Sequence, residues 1–200
     1  MRQRFLAIAS FTTVLVSGAA FAGGDLQNIP LKWSPTSTFS EMGKVDISGA
    51  MLTRTVHIDT LVDTRQNPSL IAENREKAGK VRPVTTSGDV AAYVTDHLKG
   101  TLHGAGLNIV DGPADVNVSG EIRQFFVTEL NTYVGDISLL VHVKNSAGKE
   151  LWTGLVAGDS SRFGRSYSAE NYYEAISDMV VKAANNLVST AGFHDALAKP

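Results

Sequence analysis

Cysteine is absent from all 200 residues, which removes disulfides, thiolate metal sites and cysteine nucleophiles in one step. Histidine is sparse and scattered: His57, His97, His103, His142 and His194 show neither H-x-H nor H-x-x-x-H spacing, so no zinc centre is expected. No serine sits in a G-x-S-x-G elbow, and neither G-x-x-x-x-G-K nor G-x-G-x-x-G occurs. A serine hydrolase, a phosphate loop and a dinucleotide site therefore lack sequence support, and no cofactor is expected. Nor does any apolar run reach the roughly 20 residues that span a bilayer as a helix.

What is present begins with MRQRFLAIASFTTVLVSGAAFAGG. Arg2 and Arg4 make a basic start, Phe5 to Val16 is mostly apolar, and Ala20-Phe21-Ala22 is a small-x-small cleavage site, the pattern of a secretory signal peptide. Cleavage near Ala22 is expected to release a soluble chain into the periplasm or beyond. Losing Arg2 and Arg4 from 18 basic residues, against 20 acidic ones, takes the net charge from −2 to −4. A mildly acidic chain is a poor nucleic-acid binder. Val16-Ser17-Gly18-Ala19 matches a lipoprotein processing site except that Ala19 stands where the acylated cysteine would be, so no lipid anchor is expected.

Residues 23–43, GGDLQNIPLKWSPTSTFSEMG, read as an extended N-terminal arm, with Trp33 as an aromatic anchor and a short strand expected over Ile29 to Trp33. One α+β domain is expected over residues 44–197. KVDISG and RTVHIDTLV alternate as half-buried strands, with Val56 and Ile58 inward and Thr55, His57 and Asp59 outward. Asp63 to Val84 reads as a long charged loop with one helical turn. Thr86 to Asp89 resembles a capping box, followed by a helix carrying Val90, Ala91, Val94, Leu98, Thr101, Leu102 and Ala105 on one face and ending at Gly104 and Gly106. After LNIV come three alternating strands in short steps, with a turn at Asn145 to Lys149, which implies an antiparallel meander. A second helix is expected from Ser168, with Tyr172, Ile176, Met179, Ala183 and Leu187 as its buried stripe. The fold class is two-layer α+β: a mostly antiparallel sheet covered by two helices.

Several motifs, taken together, resemble a family. D-T-R-x-N-P (63–68), the Ile71-Ala72-Glu73-Asn74 stretch, L-x-x-A-G-L (102–107), A-D-V-x-V-x-G-E (114–121), L-W-T-G (151–154) and G-R-S-Y-x-x-E-N-Y-Y-E (164–174) look like the YajG-type family of bacterial envelope lipoproteins. The resemblance implies a periplasm-facing α+β domain, outside the known enzymes, whose neighbours assist envelope transport or assembly. Ala19 departs from the lipoprotein pattern.

Two clusters carry the candidate chemistry. In GDSSRFGRSYSAENYYEAISD (158–178), Ser168 can cap a helix whose first N–H groups favour an anion. Arg162 and Arg165 before it, with Ser166, Asn171 and Tyr172 around it, can add hydrogen bonds to phosphate, sulfate or carboxylate. The alternative is an ordinary capped start with solvated arginines. In the second cluster, Asp63, Arg65 and Glu73, two carboxylates close together could do acid/base work on an envelope polymer or lipid. The alternative there is a salt-bridged loop pinned by Asp63 and Arg65. The leading function is an exported accessory or binding protein acting by contact, whose partner is an envelope protein or a small anion. The rivals are a hydrolase using Asp63 and Glu73, and a small-ligand carrier.

Overall fold

The computed structural model describes residues 25–38 and 49–198. The leader expected over 1–22 and the KVDISG stretch through Ser48 lie outside them. The elements run α1 (Ala50–Thr53), β1 (Thr55–Ile58), β2 (Val62–Asp63), β3 (Leu70–Asn74), β4 (Arg82–Thr85), α2 (Val90–Gly104), β5 (Asn108–Ile109), β6 (Val116–Glu129), β7 (Tyr133–Asn145), β8 (Glu150–Arg162), α3 (Ala169–Val188) and α4 (Ala191–Ala198). The protein is α+β, an open eight-stranded, mostly antiparallel sheet with four described helices.

The three longest strands form the expected antiparallel meander β6–β7–β8, with β8 at the sheet edge. On its other side β6 pairs in parallel with β1 at Val116–Val118, with β2 at Glu121–Ile122 and with β3 at Val127–Glu129. Outermost, β5 pairs with β1 and β4 with β3. Strand alternation places Val116, Val118, Gly120 and Ile122 inward on β6. A bulge between Ile122 and Gln124 then shifts the phase, so that Phe125, Val127 and Glu129 continue the same face. Tyr133, Ile137, Leu139, Val141 and Val143 complete it on β7.

The helices cover that face. Tyr93 of α2 meets Phe125, Tyr172 of α3 meets Tyr133, and Phe193 of α4 meets Trp152, each ring pair edge-on with centroids 6.2, 4.9 and 6.1 Å apart. Helix α3 carries the expected stripe: Tyr172, Ile176, Met179, Ala183 and Leu187 are all fully buried. The stop at Gly106 is a Schellman turn, with φ +108° at the glycine, Gly106 N donating to His103 O and Leu107 N to Leu102 O.

Three expectations are corrected. Asp63 to Val84 is not a long loop: β3 and β4 form an antiparallel hairpin within it. The alternation in LIAEN and RPVT is too short to stand out beside the surrounding charge. The capping box at Thr86 is not one either, because Asp89 is itself the N-cap and accepts from Ala92 N at 3.0 Å. Thr86 instead donates to Ile29 O at 2.7 Å, beside the single Ile29–Thr86 bridge found where a strand over Ile29 to Trp33 was expected.

The arm straps the helices. Leu26 and Ile29 belong to the core, Trp33 stacks on His97 with centroids 4.0 Å apart, and Tyr93 Oη donates to Lys32 O. Burial pushes the His97 imidazole below its ordinary range, partly opposed by Asp96. Buried Asp178 of α3 accepts from Thr36 N and Oγ1 at 2.7 and 2.5 Å, and from Ser37 N and Oγ at 3.1 Å each. Removing that carboxylate in Asp178→Ala is expected to cost about 2 kcal/mol. Amide exchange at Thr36 and Ser37 should rise by about tenfold or more in that variant, with α3 itself still protected.

Candidate functional site: a polar row beneath the α3 mouth

The register across five strands aligns a row of polar side chains at one end of the sheet. Arg82 lies opposite Asn74, Asn74 opposite Glu129, Glu129 opposite Tyr133, and Tyr133 opposite Arg162. Asn74, Glu129 and Tyr133 are 1–2% exposed. A buried carboxyl is costly unless it is hydrogen-bonded, and Glu129 accepts from the Tyr172 hydroxyl and, at 2.8 Å, from Tyr167 N. Burial, and then the Glu129 carboxyl, push the Tyr172 phenol far above its ordinary range, so it stays a donor at neutral pH. Burial also raises Tyr133.

The Gly164–Ser168 loop is fastened to this row. The Tyr133 hydroxyl donates to Arg165 O and accepts from Ser168 N at 3.2 Å. Asn171 Nδ2 donates to the same Arg165 carbonyl at 2.8 Å, and Ser166 Oγ donates to Glu76. Tyr167 takes a left-handed φ of +53°, uncommon for a side chain of its size. It is held there by Glu129 from below, by Arg82 stacked 3.7 Å from its ring centre, and by Leu26 N donating to its hydroxyl at 3.0 Å.

The helix-mouth residues of the sequence thus come together, but not as an anion cradle. Ser168 stands at the N-cap without capping: its hydroxyl donates to Glu170 Oε2 at 2.7 Å. The Ser168 hydroxyl, and then the backbone N–H of Glu170 itself, draw the Glu170 carboxyl below its usual range, so the positive end of α3 already has an anion. Arg162 turns to an ion pair with Glu174, leaving its Nε and Nη1, like Asn74 Nδ2, buried without a partner among the described residues. The Arg165 side chain is exposed, and next to it Phe163 is 82% exposed.

The second cluster separates into two pairs. Arg65 grips Asp63 through Nε at 2.9 Å and Nη2 at 2.7 Å, and its remaining N–H groups reach the carbonyls of Leu70, Phe125 and Pro68. All five guanidinium donors are therefore used. Glu73 pairs with Arg75 at 2.6 Å. Asp63 sits opposite Ile122 and Glu73 opposite Thr128 on one strand, which puts their backbones about 20 Å apart at the usual strand rise. Two carboxylates that share a water or a scissile bond sit within about 10 Å, so Asp63 and Glu73 do not form an acid/base pair. The arrangement is a pinned loop.

Glu129, Tyr133, Asn74 and Arg82 were not singled out from the sequence. The available signal was parity: once the bulge is placed, Glu129 falls on an inward position where only apolar residues precede it. Among the described residues, no group of three or more His, Asp and Glu side chains gathers to hold a metal ion.

No family model matches the chain, and no curated protein matches it. Among solved structures it is similar to a Xanthomonas campestris protein assigned to the DUF330 family, with TM-score 0.51 and 12% identity over 68% of this chain and 82% of that one. It is similar to a hypothetical protein of Chlamydia trachomatis, with TM-score 0.50 and 12% identity over 72% and 98%. A lipoprotein of Neisseria meningitidis aligns more loosely, with TM-score 0.29 and 14% identity over 54% and 83%. At these identities the first two likenesses show the fold alone, and the third carries no weight.

Proposed function

We infer that this is an exported, envelope-associated protein that acts by contact with a partner rather than by catalysis, in keeping with the YajG-type resemblance of its motifs. The observation that carries the reading is the Phe163–Arg165 loop. Its Arg165 carbonyl is held by Tyr133 and Asn171, and Glu129 holds Tyr167 N just beyond it, while Phe163 and the Arg165 side chain project unpaired among the described residues. An aromatic ring beside an arginine on a rigid loop matches the residue types that dominate interface energetics. Holding the loop in advance removes part of the entropy cost of binding. The fitting partner is an envelope protein with an apolar pocket rimmed by carboxylates.

Strand addition at the β8 edge is the less favoured mode, because Asn186 of α3 donates to Ala157 O at 2.7 Å and occupies a carbonyl of that edge strand. The test is a crosslinking pull-down from the native envelope fraction. Phe163→Ser/Arg165→Ala is expected to lower recovery of the main partner about tenfold or more. Equal recoveries with the wild type and the variant would remove the loop from the account.

A further inference from the structure

The three described helix–sheet ring contacts all lie on one face of β6–β8, and the other face is open among the described residues. On β8 it presents Thr153, Leu155, Ala157, Asp159 and Ser161, all exposed, with Leu155 at 68%. On β7 it presents Val134, Asp136, Ser138, Leu140, His142 and Lys144. Leu140 lies directly opposite Leu155 in the middle of this face. Around that leucine pair Ser138, Ala157 and Thr153 are small, while His142 lies opposite Thr153 and, on β6, Glu121 lies opposite Leu140 with its charge taken up by Arg123 at 2.7 Å.

Charge is distributed unevenly along the face. At one end Asp136 and Asp159 stand directly opposite each other across β7 and β8, without an ion-pair partner among the described residues, a like-charge placement that costs stability in an isolated sheet. At the other end stands Lys144, also unpaired among the described residues. Its neighbour Glu150 is directed to the His142 ring at 3.5 Å.

We propose that this face docks onto the same face of a second copy, making a sheet-on-sheet dimer. A two-fold axis lying in the interface, perpendicular to the strands and crossing Leu140 and Leu155, lays the strands of the two copies antiparallel. It clusters those leucines from both copies at the centre. Asp136 and Lys144 are each four residues from Leu140, so the axis sets Asp136 of each copy against the lysine end of the other. Sheets stacked in this way pack about 10 Å apart. Three strands of about 13 residues cover roughly 600 Å² per copy at standard spacings, or about 1,200 Å² in total, which reaches the lower bound for a stable interface. The surface is distinct from the Phe163–Arg165 loop.

The test is sedimentation equilibrium of the purified full chain between about 1 and 100 μM, with circular dichroism to verify the fold of each variant. The wild type should be a dimer in this range, and Leu155→Asp should weaken it about 100-fold. Asp136→Lys and Lys144→Asp should each weaken it about tenfold. The double variant, which exchanges the charges across the axis, should recover the wild-type constant. A monomer at 100 μM overturns the proposal, as does a dimer indifferent to Leu155→Asp or one the double charge exchange does not restore. A monomer that still captures an envelope partner through Phe163 overturns the dimer alone and leaves the contact function standing.

Discussion

A Gly158→Val chain is expected not to accumulate as a folded protein. Gly158 lies on the inner face of β8, opposite Ile137, where α3 crosses the sheet at backbone distance. A Cβ there would sit inside van der Waals contact with Met179 O and 2.5 Å from Ala183 N. Both are helix backbone atoms, so no rotamer change can make room. Gly135 on β7 repeats the device, with Ser160 Oγ and Met179 Sδ above it, and Ser160 Oγ donates to Ala175 O at 2.9 Å to hold the helix down. Adding valine's three carbons would lift α3, which carries the largest buried stripe among the described helices, and the cost is on the order of 4 kcal/mol or more. That is a large part of the 5–15 kcal/mol typical of a domain. Soluble yield and the urea midpoint measure it. Gly100, where a built Cβ meets nothing within 4 Å, is the matched position at which alanine should be tolerated.

The second large effect is expected at Glu129. In Glu129→Ala the buried Tyr172 hydroxyl and the half-buried Tyr167 N both lose their acceptor. An orphaned donor costs about 1–3 kcal/mol, so the variant should lose about 4 kcal/mol, read from urea unfolding. Tyr172→Phe removes one donor and leaves the carboxyl with the other, so it should lose less than half as much. The two substitutions should be strongly non-additive, since both remove the same hydrogen bond. Additive losses in the double variant would mean that Glu129 and Tyr172 do not act as a unit. Loss of the carboxyl should also release Tyr167 from its left-handed backbone, loosening the loop that presents Phe163 and Arg165.

The leucine, valine and isoleucine alternation in β6 to β8 and the 3.6-residue stripes of α2 and α3 were legible in the sequence because each runs over many residues and buries one face. The β3–β4 hairpin was not legible: five- and four-residue strands interrupted by charge carry little period, and β3 and β6 pair in parallel through contacts far apart in the chain. At the α3 mouth, which residues stand together was legible and their partners were not. Arg162 was written beside the helix start, but Glu174, one turn into the helix, claims it. Ser168 was correctly placed at the cap position, yet Glu170 takes its hydroxyl. Such choices between a backbone N–H and a nearby carboxylate depend on angles that spacing does not encode. Of the two readings of the Asp63 cluster, the structure holds the Asp63–Arg65 pair, a local contact at i and i+2 beside a turn that spacing makes easy to write down.

The protein is proposed to act through the presented Phe163–Arg165 surface. The most direct measurement replaces Phe163 with a photo-crosslinking amino acid in the chain expressed in its native cells and identifies what it captures in the intact envelope. One dominant envelope-protein adduct is expected, and it should be lost when Arg165→Ala is added. No adduct at Phe163, or the same adducts whether Arg165 is present or not, would contradict the proposal.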